Sequence, residues 1–136
     1  MKNNNIQFKG FIDTTFRDGQ QSPLMFDSYK YRFTIEDKKN LIYGLIKLGI
    51  RNFEFFAPNV SWSEAQDFIK IKAYVTSLNV TGIRFLAHCR CHPKDIEEAI
   101  KAGFDGLNLY IGMTEYAQHY SHGMKFSEII INVKKI

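Results

Sequence analysis

Arg17, Asp18, Gln20 and Gln21 follow closely on the apolar pair Phe11-Ile12, which reads as the end of a β-strand. Gly19 is expected to supply the backbone freedom for the bend. A cation, a carboxylate and two amides gathered past one strand end are suited to holding a small polar ligand. Asp18 offers an oxygen donor of the kind hard divalent cations such as Mg²⁺ or Mn²⁺ prefer, or it simply pairs with Arg17 in a loop. Arg17 can stabilise an enolate or fork onto a carboxylate, or tie the loop down.

Glu54 is the odd residue of the apolar stretch Ile50-Arg51-Asn52-Phe53-Glu54-Phe55-Phe56-Ala57. A charge there is costly unless it meets a polar cavity or a partner such as Arg17, so it is either half of a structural ion pair or an active-site acid. In His88-Cys89-Arg90-Cys91-His92 the period of two puts both histidines and Arg90 on one side and both cysteines on the other. One zinc ion cannot readily collect ligands from opposite faces, so a Cys/His zinc centre is not expected. His119, Tyr120, Ser121 and His122 occupy a later loop, positioned either to contact substrate or to cap a rim.

The elements that position these groups follow from periodicity and punctuation. Ile6 to Asp13 reads as a first strand, followed by a long polar loop to Phe33. Thr34 is the expected N-cap of a helix whose stripe Leu41, Ile42, Leu45, Ile46, Leu48 ends at Gly49. Ile50–Ala57 is the second strand, and Ser61-Trp62-Ser63-Glu64 has capping-box spacing ahead of an amphipathic helix to about Leu78. Ile83–Arg90 is the third strand, and Pro93 opens a helix closed by Gly103. Leu107–Gly112 is the fourth strand, then come a Tyr- and His-rich loop and an apolar-periodic segment from Phe126 to Ile136.

Strand and helix thus alternate about four times, the pattern of an α/β fold with a parallel sheet. A (β/α)₈ TIM barrel needs about 250 residues. The 136 residues, 45% hydrophobic and 24% charged, are expected to form one partial-barrel domain, residues 1–136, with open sheet edges that another half-barrel or a second copy would cover. The net charge of +4 comes from dispersed lysines, which excludes an obvious nucleic-acid footprint. No apolar run nears the roughly 20 residues of a membrane span, and Met1-Lys2-Asn3-Asn4-Asn5 lacks the core of a signal peptide, so a cytoplasmic location is expected. Cys89 and Cys91 cannot easily take disulfide geometry, and reduced thiols fit that compartment.

The run Asp13-Thr14-Thr15-Phe16-Arg17-Asp18-Gly19-Gln20-Gln21-Ser22-Pro23 resembles the first-strand signature of the pyruvate-carboxyltransferase-like (DRE-TIM, HMGL-like) metal-dependent enzymes. Ala87-His88-Cys89-Arg90-Cys91-His92, Gly103-Phe104-Asp105-Gly106, Ile111-Gly112-Met113-Thr114 and Tyr120-Ser121-His122-Gly123 are similar in order and spacing to homocitrate synthase, with 2-isopropylmalate synthase beside it. The resemblance implies an acyltransferase of amino-acid biosynthesis that condenses acetyl-CoA with a 2-oxo acid on a divalent metal (Mg, Mn or Zn). By the same resemblance Arg17 and Glu54 are the catalytic candidates, Asp18 a metal ligand, and Gln21, His88 and Arg90 line the 2-oxo acid pocket.

The chain departs from that pattern in ways that matter. The family's remaining metal ligands come from a His-x-His pair on a late strand, and the four histidines here, 88, 92, 119 and 122, include no such pair. Gln20 stands where many synthases have Glu, and Met113 interrupts the Gly-Thr of the homocitrate pattern. Weak metal binding and little synthase activity from this polypeptide alone are the resulting expectations. A non-catalytic half-barrel used for assembly or regulation is the rival of a different class, and a lyase or carboxyltransferase of the same superfamily is the rival within it.

Overall fold

The structure, a computed structural model, describes residues 10–21 and 33–135. Within them a four-stranded sheet runs in the order β1-β2-β3-β4, every neighbouring pair parallel. The strands are β1 (Ile12–Asp13), β2 (Asn52–Phe56), β3 (Arg84–Arg90) and β4 (Gly106–Tyr110). The helices between and after them are α1 (Ile35–Lys47), α2 (Trp62–Ser77), α3 (Pro93–Lys101) and α4 (Phe126–Val133). This is the expected alternation, and consecutive parallel strands joined through helices form part of a (β/α)-barrel wall. Of the expected first strand and polar loop, residues 6–9 and 22–32 lie outside the described residues.

Local chemistry explains the boundaries. Thr34 caps α1 with a complete capping box: its hydroxyl accepts from the Asp37 N–H at 3.2 Å, while the Asp37 carboxylate accepts from the Thr34 N–H at 2.8 Å. The Thr34 hydroxyl also donates to the Asp37 carboxylate at 2.7 Å, and this bond together with that from the Thr34 N–H holds the Asp37 carboxyl below its ordinary value. Ser61 caps α2 through the Glu64 N–H at 3.1 Å. The Glu64 side chain does not complete that box as its spacing suggests. It turns instead toward Gln20, whose Nε2 donates to it at 3.2 Å, and toward Lys38 at 3.6 Å. Pro93 occupies the first turn of α3, where its missing N–H costs no hydrogen bond.

One face of the sheet carries the core. Phe53, Phe55 and Phe85 project onto α1 and α2 and meet Ile42, Ile46, Phe68, Ile71 and Val75. Phe68 stacks on Phe104 at 3.8 Å and meets Phe55 and Phe85 edge-on at 5.4 and 5.8 Å. Further along β3, Ala87 and Cys89 pack with Ala57 and with Ala99 of α3. The small residues at that end let α3 approach the sheet closely. Lys38, only 3% exposed, is held by Asp67 at 2.6 Å as well as by Glu64, so its charge is buried with partners.

Cys89 sits on the helix-covered side and is fully buried, as strand alternation requires. Burial, with Asp95 nearby, pushes its thiol up to about 11. At pH 8 iodoacetamide is therefore expected to modify the partly exposed Cys91 in the folded chain and to reach Cys89 only after denaturation. Peptide mass mapping of native and urea-treated samples reads this out. Equal labelling of both thiols in the native state would contradict the burial of Cys89 against Ala99 of α3.

The segment after β4, expected as an open loop, instead winds into a π-helical turn, Ala117–His122. Its sequence lacks apolar periodicity, and local polar contacts hold it. The Thr114 hydroxyl accepts from the Ala117 N–H at 3.1 Å, Gln118 Nε2 donates to the Met113 carbonyl at 3.0 Å, and His122 Nε2 lies 2.9 Å from the Gly112 carbonyl.

Candidate active site

The sheet face opposite the core carries Glu54, which is 3% exposed in the middle of β2. Its carboxylate collects groups from the other strands. Arg17, just past β1, donates from Nε to Oε2 at 2.6 Å, and Asn108 of β4 donates from Nδ2 to Oε1 at 2.6 Å. His88 of β3 places Nδ1 3.5 Å from Oε1, and this buried nitrogen has no hydrogen-bond partner. The His88 ring lies flat on Tyr110, 4.3 Å away. All four strands thus contribute to one polar cluster on the face away from the helices.

The β1 turn aims Arg17 by splitting consecutive side chains between the two layers. Phe16 is fully buried in the helix-side core, stacked on Phe55 at 4.9 Å, while Arg17 reaches back to Glu54. The turn closes through the N–H groups of Arg17 and Asp18, both donating to the Thr14 carbonyl at 3.0 and 2.8 Å, and continues as a 3₁₀ turn, Asp18–Gln21. Gly19 is not needed there for a left-handed conformation, contrary to expectation, since its φ is not positive. Space is the constraint: a Cβ on Gly19 would lie 3.2 Å from Thr15 Cγ2. Gln20 Nε2 donates both to the Phe16 carbonyl at 2.6 Å and to Glu64, which pins the turn to α2. The amide at this position, noted as a departure from the synthase pattern, is what allows a bond to a carboxylate that a Glu would repel.

Of the six candidate residues, Arg17, Asp18, Glu54 and His88 come together. The Asp18 carboxylate is half exposed and accepts from Arg17 Nη1. Gln21 ends the turn exposed, and its side chain makes no hydrogen bond to the described residues. Arg90 lies at the end of β3, and its Nε and Nη2 donate to Asp95 at 2.7 and 3.0 Å. Asp95 is 3% exposed and also accepts from Asn59 Nδ2 at 2.6 Å, so it joins the β2–α2 loop, β3 and α3. Asn108, Asp95 and Asn59 were not singled out from sequence. An Asn alternating with leucines in Leu107-Asn108-Leu109 is the same kind of signal that marked Glu54.

The Arg90 guanidinium holds the Asp95 carboxyl below the ordinary carboxylate range, outweighing burial. A depressed folded-state pKa contributes stability that is present above the unfolded value, near 3.9, and is lost as pH falls through the lower folded value. Asp95→Asn is therefore expected to cost about 1–3 kcal/mol at neutral pH and to flatten the acid limb of a stability-versus-pH curve below pH 4. Urea midpoints measured from pH 2 to 7 check both parts.

A divalent cation fits the chemistry of Asp18 but not the count of donors. Among the described residues no group of three His, Cys, Asp or Glu side chains can hold a metal ion. Asp18 is one carboxylate, already engaged by Arg17. No helix among them is long and apolar enough to cross a membrane.

Parallel strands in sequential order, helices on one face and a polar cluster on the other define part of a (β/α)-barrel. The HMGL-like family model matches residues 9–136, and the chain belongs to that family. Among curated proteins it is similar to the mitochondrial homocitrate synthase of Schizosaccharomyces pombe, 29% identical over 92% of this chain and 27% of that protein. The cytosolic homocitrate synthase isozyme of Saccharomyces cerevisiae is 30% identical over 93% of this chain and 26% of its own length. A probable 2-isopropylmalate synthase of Ignicoccus hospitalis is 30% identical over 88% of this chain and 27% of its own length. The chain thus spans about a quarter of the length of the curated relatives it matches.

Proposed function

We propose that this chain carries the first-strand side of an acyl-CoA-condensing site that joins acetyl-CoA to a 2-oxo acid, in the manner of homocitrate or isopropylmalate synthases. The observation that carries the reading is the Arg17–Glu54 pair at 2.6 Å, completed by Asn108 and His88. In such a condensation a base removes a proton from the acetyl methyl group, and the resulting enolate carbon adds to the ketone carbon. The ketone oxygen becomes an alkoxide that takes up a proton, and water hydrolyses the thioester to a carboxylate with release of the CoA thiol. Arg17, with Nε fixed by Glu54, is a preorganised cation for oxyanion charge developing at either stage. Glu54 orients Arg17 and stands closest to an acid–base role.

His88, Gln21 and Arg90 are assigned to the 2-oxo acid. Asp18 is the carboxylate offered to a divalent cation, Mg, Mn or Zn, which when bound would supply Lewis acidity toward a carbonyl oxygen. Binding through Asp18 alone is expected to be weak, and no step is routed through the ion. A cytoplasmic location belongs to the same proposal and has the cytosolic yeast relative in its support, against the mitochondrial relative of Schizosaccharomyces pombe. A lyase or carboxyltransferase of the superfamily would use the same groups in related carbon–carbon chemistry.

Thiol release from acetyl-CoA, followed with 2-oxoglutarate and with 2-oxoisovalerate plus Mn²⁺, is the test. Turnover near background is expected from this chain alone, rising when a polypeptide supplying later strands with His-x-His is added. Robust turnover by the chain alone, lost with Asp18→Ala, would show that one carboxylate suffices. Absence of turnover in both arrangements counts against the reading.

A second reading, a half-barrel that works by pairing with another half-barrel or a second copy, is favoured by the sheet edges. Phe11 and Ile12 at the β1 edge are 66% and 49% exposed, and Leu109 and Tyr110 of β4 are 43% and 46% exposed. Light scattering that gives a well-folded monomer without binding of the dye ANS would rule that reading out.

A further inference from the structure

A cavity of about 810 Å³ opens between the β3–α3 junction, the end of β4, the π-helical turn and α4. That volume lies in the range of small-molecule pockets. Its apolar floor includes Ile111, Ile129 and Val133, and its polar wall includes Arg90, Ser121 and Lys135. No Asp or Glu is among its lining residues, so the formal charges facing the space are all positive. None of Arg17, Asp18, Glu54 and His88 lines it either.

The Arg90 guanidinium is preorganised at this wall. Nε and Nη2 are committed to Asp95, itself buried and anchored by Asn59, while Nη1 has no hydrogen bond to the described residues. A planar cation clamped along one edge keeps its free edge for a second anion. The Lys135 ammonium likewise has no ion-pair partner among the described residues, and the aliphatic side chains lie beyond these charges.

We propose that this cavity binds a small organic anion with an aliphatic body, its carboxylate against Arg90 and Lys135 and its chain on Ile111, Ile129 and Val133. This role is an alternative to the 2-oxo acid contact given to Arg90 above, because the cavity lies apart from the Glu54 cluster and neither His88 nor Gln21 lines it. Tyr110 is the shared wall: it lines the cavity and stacks on His88, so an occupant touches a ring in contact with the cluster.

The full ¹⁵N-labelled chain is titrated with hexanoate, with hexan-1-ol as the uncharged counterpart and with acetate as the anion lacking the chain. Hexanoate is expected to shift the amides of Gly112, Ile129 and Val133 saturably, and to bind at least about tenfold more tightly than either comparison compound. Arg90→Gln should remove most of that preference over hexan-1-ol while leaving hexan-1-ol binding unchanged. Because Arg90→Gln also strips Asp95 of its partner, the exposed Lys135→Gln serves as a second variant, expected to weaken hexanoate about threefold in an unaltered fold. Equal affinity for hexanoate and hexan-1-ol, shifts centred outside these residues, or an unchanged preference in both variants would overturn the proposal. The titration contains neither metal nor acyl-CoA, so its failure leaves the synthase reading standing, and failure of the thiol-release test leaves this site standing.

Discussion

Glu54→Ala is expected to destabilise the chain by about 2–4 kcal/mol, because among the described residues it removes the acceptor of Arg17 Nε and Asn108 Nδ2 and leaves Arg17 with Asp18 alone. Arg17 Nε and Asn108 Nδ2 each lie 2.6 Å from this carboxylate, and the Arg17 side chain is only 18% exposed, so water replaces the lost acceptor poorly even though Asp18 still pairs with Nη1. Against the 5–15 kcal/mol of a typical domain, such a loss leaves a large unfolded population. Glu54→Gln should recover part of it, since the amide oxygen still accepts from one donor while its NH₂ opposes the other. Urea unfolding followed by circular dichroism gives both values. A cost below about 1 kcal/mol for the alanine variant would mean that the cluster is not the polar keystone described here.

Phe16→Ala is expected to cost a similar amount, about 3–5 kcal/mol, by a different mechanism. The ring is fully buried, stacked on Phe55 at 4.9 Å and edge-on to Phe53 at 6.4 Å, and its loss leaves a cavity between β1 and the aromatic layer. The consequence reaches the site, because this ring anchors the turn that aims Arg17. Hydrogen exchange separates Phe16→Ala from an equally destabilising change deeper in the core, such as Phe68→Ala. Only the first should selectively expose the Arg17 and Asp18 N–H groups, which donate to the Thr14 carbonyl. Uniform loss of protection in both variants would show that the turn is held by something other than Phe16.

Much of this arrangement was legible in the residues. Glu54, flanked by aromatics that alternate toward the core, had to face the other side, and only a cation or a polar cavity could receive it there. Thr34 with Asp37, Pro93 and the strand alternation of Cys89 announced themselves through local rules that need no knowledge of the rest of the fold. Less legible were features decided by distant partners. Ser61-x-x-Glu64 has the spacing of a capping box, yet Gln20 and Lys38 compete for the Glu64 carboxylate from 44 and 26 positions away in the chain. Arg90 shares its strand face with His88 but is drawn aside by Asp95 in the following helix, a competition that strand periodicity does not contain. The π-helical turn at Ala117–His122 rests on hydrogen bonds to Gly112, Met113 and Thr114 rather than on an apolar stripe, so no period marks it. Gly19 shows the same limit at one residue: its type signalled a special backbone, and the structure shows a close approach to Thr15 instead.

The turn after β1 is proposed as a binding site for a metal and a 2-oxo acid rather than a purely structural ion pair. Paramagnetic broadening of ¹⁵N amide resonances by Mn²⁺, measured with and without 2-oxoglutarate or 2-oxoisovalerate, tests it most directly. Weak, selective broadening is expected at Arg17, Asp18, Gly19 and Gln20, strengthened by one of the 2-oxo acids and abolished by Asp18→Asn. Broadening centred on other residues, or broadening at this turn that survives Asp18→Asn, would contradict it.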